Sequence, residues 1–283
     1  MSNEIEQIKQ QVKQHIDVTF AANPAMVGVM WNGYTSHAQA NTIEYWEVIY
    51  QSMTGKAPPP RSATTSHVSS RDFTIQNNVL LQYDGNAATV IIPPNVTSIG
   101  DSAFDDNETL EKVELPSGLT NIGSYAFSGC VNLKEIVIPS GVTSIDSDAF
   151  SKCTSLKKIE LPAGLTNIGN DAFSKCTSLE KINLPSGLTS IADDLFNGCT
   201  NLREVNIPAA VTSIGSLAFA DCVNLASVVI HHGITDIGRR AFDGCDNLTI
   251  YIDEEQAKKL DLKKKIGKKT QIADIKLSPI PGR

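Results

Sequence analysis

LKEIVIPSGVTSIDSDAFSKC, Leu133 to Cys153, decides the fold, because the chain repeats it with small changes every 23 residues. Phenylalanine returns at Phe104, Phe127, Phe150, Phe173, Phe196, Phe219 and Phe242. In the same register run cysteines from Cys130 to Cys245, leucines from Leu110 to Leu248, isoleucines from Ile99 to Ile237 and prolines from Pro93 to Pro208. A fixed period of this length means one supersecondary unit stacked on copies of itself, since no unit alone can bury its apolar side. The opening L-x-x-I-x-I alternates with period two, as a strand does. The proline that follows has no N–H for a ladder and ends it.

Strands stacked about 4.8 Å apart bring equivalent side chains of successive rungs together, so Phe, Ile, Leu and Ala become continuous buried spines. Gly-x-x-Ala-Phe suits a tight turn or short helix on the convex side, with Leu195 the one departure from the alanine column. Glycines copied at this interval mark a structural turn, with Asp146 and Ala192 in their place in two rungs, and not a phosphate-cradling loop. The expected fold is an α/β repeat solenoid, with short parallel strands on one face, turns or short helices on the other, and a small helical N-terminal region.

The strand, proline, Thr-x-Ile-Gly and Ala-Phe-x-x-Cys positions, repeated over about residues 72–252, resemble the BspA-like class of leucine-rich repeats. Phe73 to Pro93, FTIQNNVLLQYDGNAATVIIP, resembles the degenerate opening rung of that class and would cap the solenoid. The resemblance implies adhesion, or binding of host and matrix proteins, by chains that are often exported or anchored at the cell surface.

All six cysteines belong to the repeat, with no Cys-x-x-Cys pair and no histidine at ligand spacing. They read as buried structural thiols, six of them free, because parallel side-chain vectors do not give a disulfide its torsion. Asn107 takes the cysteine column in the first rung, as a small hydrogen-bonding residue can.

Residues 1–55 do not repeat. Ile5, Ile8, Val12, Ile16 and Phe20 fall at helical spacing, and Ile43, Trp46, Ile49 and Tyr50 suggest a second helix. Trp31 and Trp46, with Met26 and Met30, are candidate anchors. This region reads either as a small domain or cap, or as a device joining subunits into a homo-oligomer or larger assembly. Residues 56–71 have the Pro, Ser and Thr content of a linker. Residues 253–283 break the period as a C-terminal cap, a helix and then a final strand, and carry nine Lys or Arg against five Asp or Glu. Interspersed acids and a chain net charge of −7 argue against nucleic acid.

The start, MSNEIEQIKQQ, lacks the pattern of a secretory signal, and no stretch of 18 apolar residues spans a membrane. A soluble chain is expected, cytoplasmic or exported by a non-classical route.

Alternation turns the third and fifth strand positions outward onto the concave sheet. The columns read Lys112, Glu135, Lys158, Lys181, Glu204, Ser227 and Glu114, Val137, Glu160, Asn183, Asn206, Val229. Opposite charges in the first rungs are what cross-strand ion pairing would produce. Towards the end the charges fade into Asn183, Asn206, Ser227 and Val229, beside His231 and His232. The candidate binding residues are Lys158, Glu160, Lys181, Asn183, Glu204, Asn206, Ser227, Val229 and His232. Neighbouring histidines on a turn diverge, and no H-E-x-x-H accompanies them, so no catalytic residue, metal or cofactor is indicated. The expected function is non-enzymatic binding of a protein, or of a glycan, on the concave face. The alternative is a structural subunit anchored through Ile5, Ile8, Val12, Ile16, Trp31 and Trp46, with the repeats as an outward arm.

Overall fold

The computed structural model describes residues 72–266 and 270–274, so the expectations for residues 1–55 and 56–71 lie outside the described residues. Each rung places its three-residue strand on one wall. Lys112–Glu114, Glu135–Val137, Lys158–Glu160, Lys181–Asn183 and Glu204–Asn206 all run exposed, buried, exposed. They join Thr89–Ile91, Ser227–Val229, Thr249–Ile252 and Gln271–Asp274 in one nine-stranded parallel sheet.

A second ladder, not foreseen, runs through the Thr-x-Ile segment. Two-residue strands such as Ser98–Ile99, Asn121–Ile122 and Ser144–Ile145 pair in parallel from rung to rung. Threonines close most of the steps beside them. The Thr120 N–H and Oγ1 both donate to the Thr97 carbonyl, at 2.9 and 3.0 Å. This sheet is interrupted between Asn167–Ile168 and Ser190–Ile191. That is the step where Ala192 stands in the glycine column, and where ring spacing along the phenylalanine spine is widest, 5.8 Å between Phe173 and Phe196.

The third wall is made of turns, not short helices. The Phe127 N–H donates to the Ala149 carbonyl at 2.8 Å, the Phe150 N–H to Ala172 at 2.8 Å, and the pattern continues to Phe219 and Ala241. Two left-handed residues flank each Ala-Phe pair, as Tyr125 (φ 58°) and Gly129 (φ 68°) do around Ala126-Phe127. The glycines of the Gly-x-x-Ala-Phe column serve a different need, close approach. A Cβ on Gly169 would lie 2.5 Å from the Ser147 backbone nitrogen.

Between the walls the phenylalanines are fully buried and stack nearly parallel, at centroid spacings of 5.0 to 5.8 Å. Tyr83 and Phe73 extend the stack at the N-terminal end, at 5.0 and 5.1 Å. They come from an antiparallel hairpin, Phe73–Gln76 with Val79–Tyr83, whose second strand pairs in parallel with Ser98–Ile99. All six cysteines are free and buried. Each thiol donates to the phenylalanine carbonyl of the preceding rung, as Cys176 does to Phe150 at 3.1 Å. Burial pushes every thiol up, Cys130 and Cys245 to about 12, so none is a ready thiolate. Asn107, in the same column, donates to the Gly85 carbonyl at 3.3 Å and accepts the Leu110 N–H.

At the C-terminal end, the Asp253 side chain caps a helix, Glu254–Lys259, by accepting the N–H groups of Glu255 and Gln256. The parallel strand Gln271–Asp274 then adds to Thr249–Ile252. No helix among the described residues is long and apolar enough to cross a membrane.

Two outcomes follow for stability. Phe173 is covered on both ring faces, so Phe173→Ala should cost about 3–5 kcal/mol in urea unfolding. The half-buried terminal Phe73, cut to alanine, should cost clearly less; equal losses would contradict a stacked core. On the turn wall Asp148, Asp171 and Asp194 share one left-handed column. Burial, then the carboxylates of Asp194 and Asp148, raise the Asp171 pKa, while Ser174 and Lys175 act the other way. A folded pKa above the unfolded one means that the folded state holds the proton more tightly, so stability falls as pH rises through that interval. Asp171→Asn, which tolerates positive φ, should therefore be more stable than the parent at pH 7. The gap should close below about pH 4. A gap that is independent of pH, measured by urea unfolding at several pH values, would rule the effect out.

Candidate functional site: the strand face

Period-two alternation decides what the nine-stranded sheet shows to solvent. Val113, Ile136, Ile159, Ile182 and Val205 point into the core, and the residues on either side of each point out. The sheet register sets Lys181 opposite Glu204 and Asn183 opposite Asn206, with Glu204 opposite Ser227 on the next rung. Eight of the nine residues read from the sequence thus share one face. Lys158, Glu160, Lys181, Asn183, Glu204 and Asn206 are exposed, while Ser227 and Val229 are half-buried. His232 is exposed too, but it sits in the turn after its strand and stays off the sheet.

In the first rungs the charges pair differently from the expectation of bonding across strands. Lys112 bonds Glu114 at 3.0 Å and Lys158 bonds Glu160 at 2.5 Å, each along its own strand. Glu135, in register between the two lysines, is bonded by neither. Lys158 and Lys181 are like charges in register, so each turns to an acid away from the other, Lys181 reaching Glu204 at 3.0 Å across the strands. The bond to Glu160, then its charge, raises the pKa of Lys158. An open groove of about 570 Å³ lies over these rungs, lined by Lys158, Glu160, Lys181 and Asn183 together with Lys157 and Glu180.

Beyond Glu204 the outward columns lose their charge. Val229 stands in register with Tyr251, Ser227 with Thr249, and Thr249 with Gln271. Tyr251 was not foreseen, because the last rung is one residue short and moves it out of the 23-residue count. Among the described residues, no hydrogen bond occupies the side-chain amide of Asn183 or Asn206, whereas the Asn132, Asn201, Asn224 and Asn247 amides each donate to a carbonyl of the preceding rung.

His231 is spent on structure. Its Nδ1 accepts the Gly233 N–H at 3.1 Å, which leaves the proton on Nε2, 3.0 Å from the Pro208 carbonyl. Its own carbonyl accepts from the Gln256 amide at 2.8 Å, and that amide also reaches the Ile234 carbonyl at 3.0 Å. Histidine thus replaces the column's proline where the C-terminal helix is pinned to the last full rung. Among the described residues, no three His, Cys, Asp or Glu side chains gather as a metal site would require. What the face can do is form contacts over a long, regular surface.

Comparison with known proteins agrees with that geometry. A model of the BspA type leucine rich repeat region matches residues 74–176 and 120–249, with six copies. No curated protein sequence matches the chain significantly. The crystal structure of a T. pallidum leucine rich repeat protein is 28% identical with a TM-score of 0.62, covering 73% of this chain and 100% of that one. A leucine rich cell surface protein from Faecalibacterium prausnitzii A2-165 is 33% identical with a TM-score of 0.59. That match covers 65% of this chain and 53% of the other, so the chain spans about half the length of that relative. Repeat, ring stack and matched residues together place the chain in the BspA-type leucine-rich repeat family.

Proposed function

We propose that this chain is a non-enzymatic binding protein of the adhesion type that grips a protein partner on the strand face, centred on its uncharged C-terminal half. One observation carries the reading: the charge gradient along the sheet. Protein interfaces are depleted of charge at their centre, enriched there in tyrosine, and polar at the rim. Val229 and Tyr251, with Ser227 and Thr249, form such a centre, and the ion-paired rungs around Lys158, Glu160, Lys181 and Glu204 form one side of its rim, where Asn183 and Asn206 add polar amides. The unspent amides of Asn183 and Asn206 are donors and acceptors free for a partner. A relative whose description places it at the cell surface supports an adhesive setting. Tyr251 is the one aromatic ring in these columns, and tyrosine beside an aliphatic residue such as Val229 is the composition of a protein interface, which favours a protein over a glycan.

A photo-crosslinking residue at Asn206 should trap one dominant partner that the same residue at exposed Asn170, on the turn wall, does not. Val229→Lys or Tyr251→Ala should weaken capture at least about tenfold, the scale of an interface hot spot, and Asn170→Lys should leave it unchanged. Equal trapping from both positions would refute the strand face as the binding surface. Loss of the trapped species on glycosidase treatment would assign the contact to a glycan.

A further inference from the structure

One turn of the solenoid contains a dipeptide with its own chemistry. Asn197-Gly198 occupies a place where the other rungs carry Asp105, Ser128, Ser151, Ser174, Ala220 or Asp243. An asparagine before glycine is prone to cyclise, because the following residue has no Cβ to hinder attack by its backbone nitrogen. The Gly198 nitrogen bonds to the Asn197 side-chain carbonyl carbon and gives up its proton to water, and the side-chain nitrogen leaves as ammonia. The succinimide then takes up one water at either carbonyl, giving aspartate or isoaspartate. Nothing is oxidised or reduced, and water is the only co-reactant.

The fold opposes both requirements of that attack. The Gly198 N–H, which must lose its proton, donates to the Ala220 carbonyl of the next rung at 2.8 Å. The Asn197 amide, which must swing over that nitrogen, donates to Asp194 Oδ1 at 2.7 Å. The peptide is also fixed on its other side, since the Asn197 N–H donates to the Asp194 carbonyl at 3.0 Å and the Asn197 carbonyl accepts the Lys175 N–H at 2.7 Å. We propose that Asn197-Gly198 is a deamidation site held off by the closed solenoid, so that its slow conversion accumulates in proportion to the time that the middle rungs spend open. The record runs one way. The product puts a carboxylate against Asp194 where an amide donor stood, acceptor facing acceptor and charge facing like charge.

Peptide mapping by mass spectrometry would test this on the full chain kept at pH 8 and 37 °C, folded or unfolded in urea. Conversion at Asn197 should be at least about tenfold slower in the folded chain, because it then requires local opening. Asp194→Gly, which keeps the left-handed turn and removes the clamp, should convert several-fold faster in the folded state than Asp171→Gly, its neighbour in the same column. Equal rates in folded and unfolded chains, or equal rates in the two glycine variants, would overturn the proposal. Asn197→Asp should melt below the parent at pH 7, and a melting point at or above the parent would show that the rung recloses unharmed.

Discussion

A phenylalanine ring has two faces, and in this protein only the rungs above and below can cover them. The fold depends on that requirement. The rings stack 5.0 to 5.8 Å apart, whereas hydrogen-bonded strands settle about 4.8 Å apart. The same stacking leaves no rung stable alone, since each lends its neighbours the cover that it needs.

The backbone meets this demand at some cost. Every rung places residues such as Asp148, Asp171, Lys175 or Leu217 in the left-handed region, which disfavours L-residues by roughly 1–2 kcal/mol. The return is a hydrogen bond to the next rung at the same residues. The Asp148 N–H reaches the Asn170 carbonyl at 2.9 Å, and the Leu217 N–H reaches Arg239 at 3.1 Å. The thiols add a further tie between rungs through the phenylalanine carbonyls. Cysteine suits that column because it is small, apolar enough to bury and still a weak donor.

What the sequence disclosed follows from these forces. The Phe, Leu, Ile and Cys columns recur without a slip because each must touch its own copy, so the stacked core and the outward columns of Lys158, Glu160 and Asn183 are legible from period and alternation. Tyr83 escapes that reading because it reaches the ring stack through a hairpin and stands 21 residues, not 23, before Phe104. Tyr251 escapes it through the shortened last rung. The Thr-x-Ile ladder is hard to see because two residues are too few to show alternation. The ion pairs of the first rungs are not legible in the sequence, although the Lys181–Glu204 pair is, because side-chain register says which residues are neighbours, not which neighbour a flexible lysine chooses. Lys112 and Lys158 each reach along their own strand and leave Glu135 to stand between them.

The contrast between inward and outward columns also bears on function. Inward positions are copied almost without change, whereas the outward positions of the strand face differ from rung to rung. Stacking explains the first and places no demand on the second. Lys112, Lys158 and Lys181 are engaged by Glu114, Glu160 and Glu204, so a partner on the face proposed above would have to break those pairs to use the lysines. Asn183, Asn206 and Val229 make no such bonds, so a partner displaces only water there. For the proposed partner, the C-terminal half of the sheet would be where contact costs least, since a rigid row of rungs has little entropy left to lose.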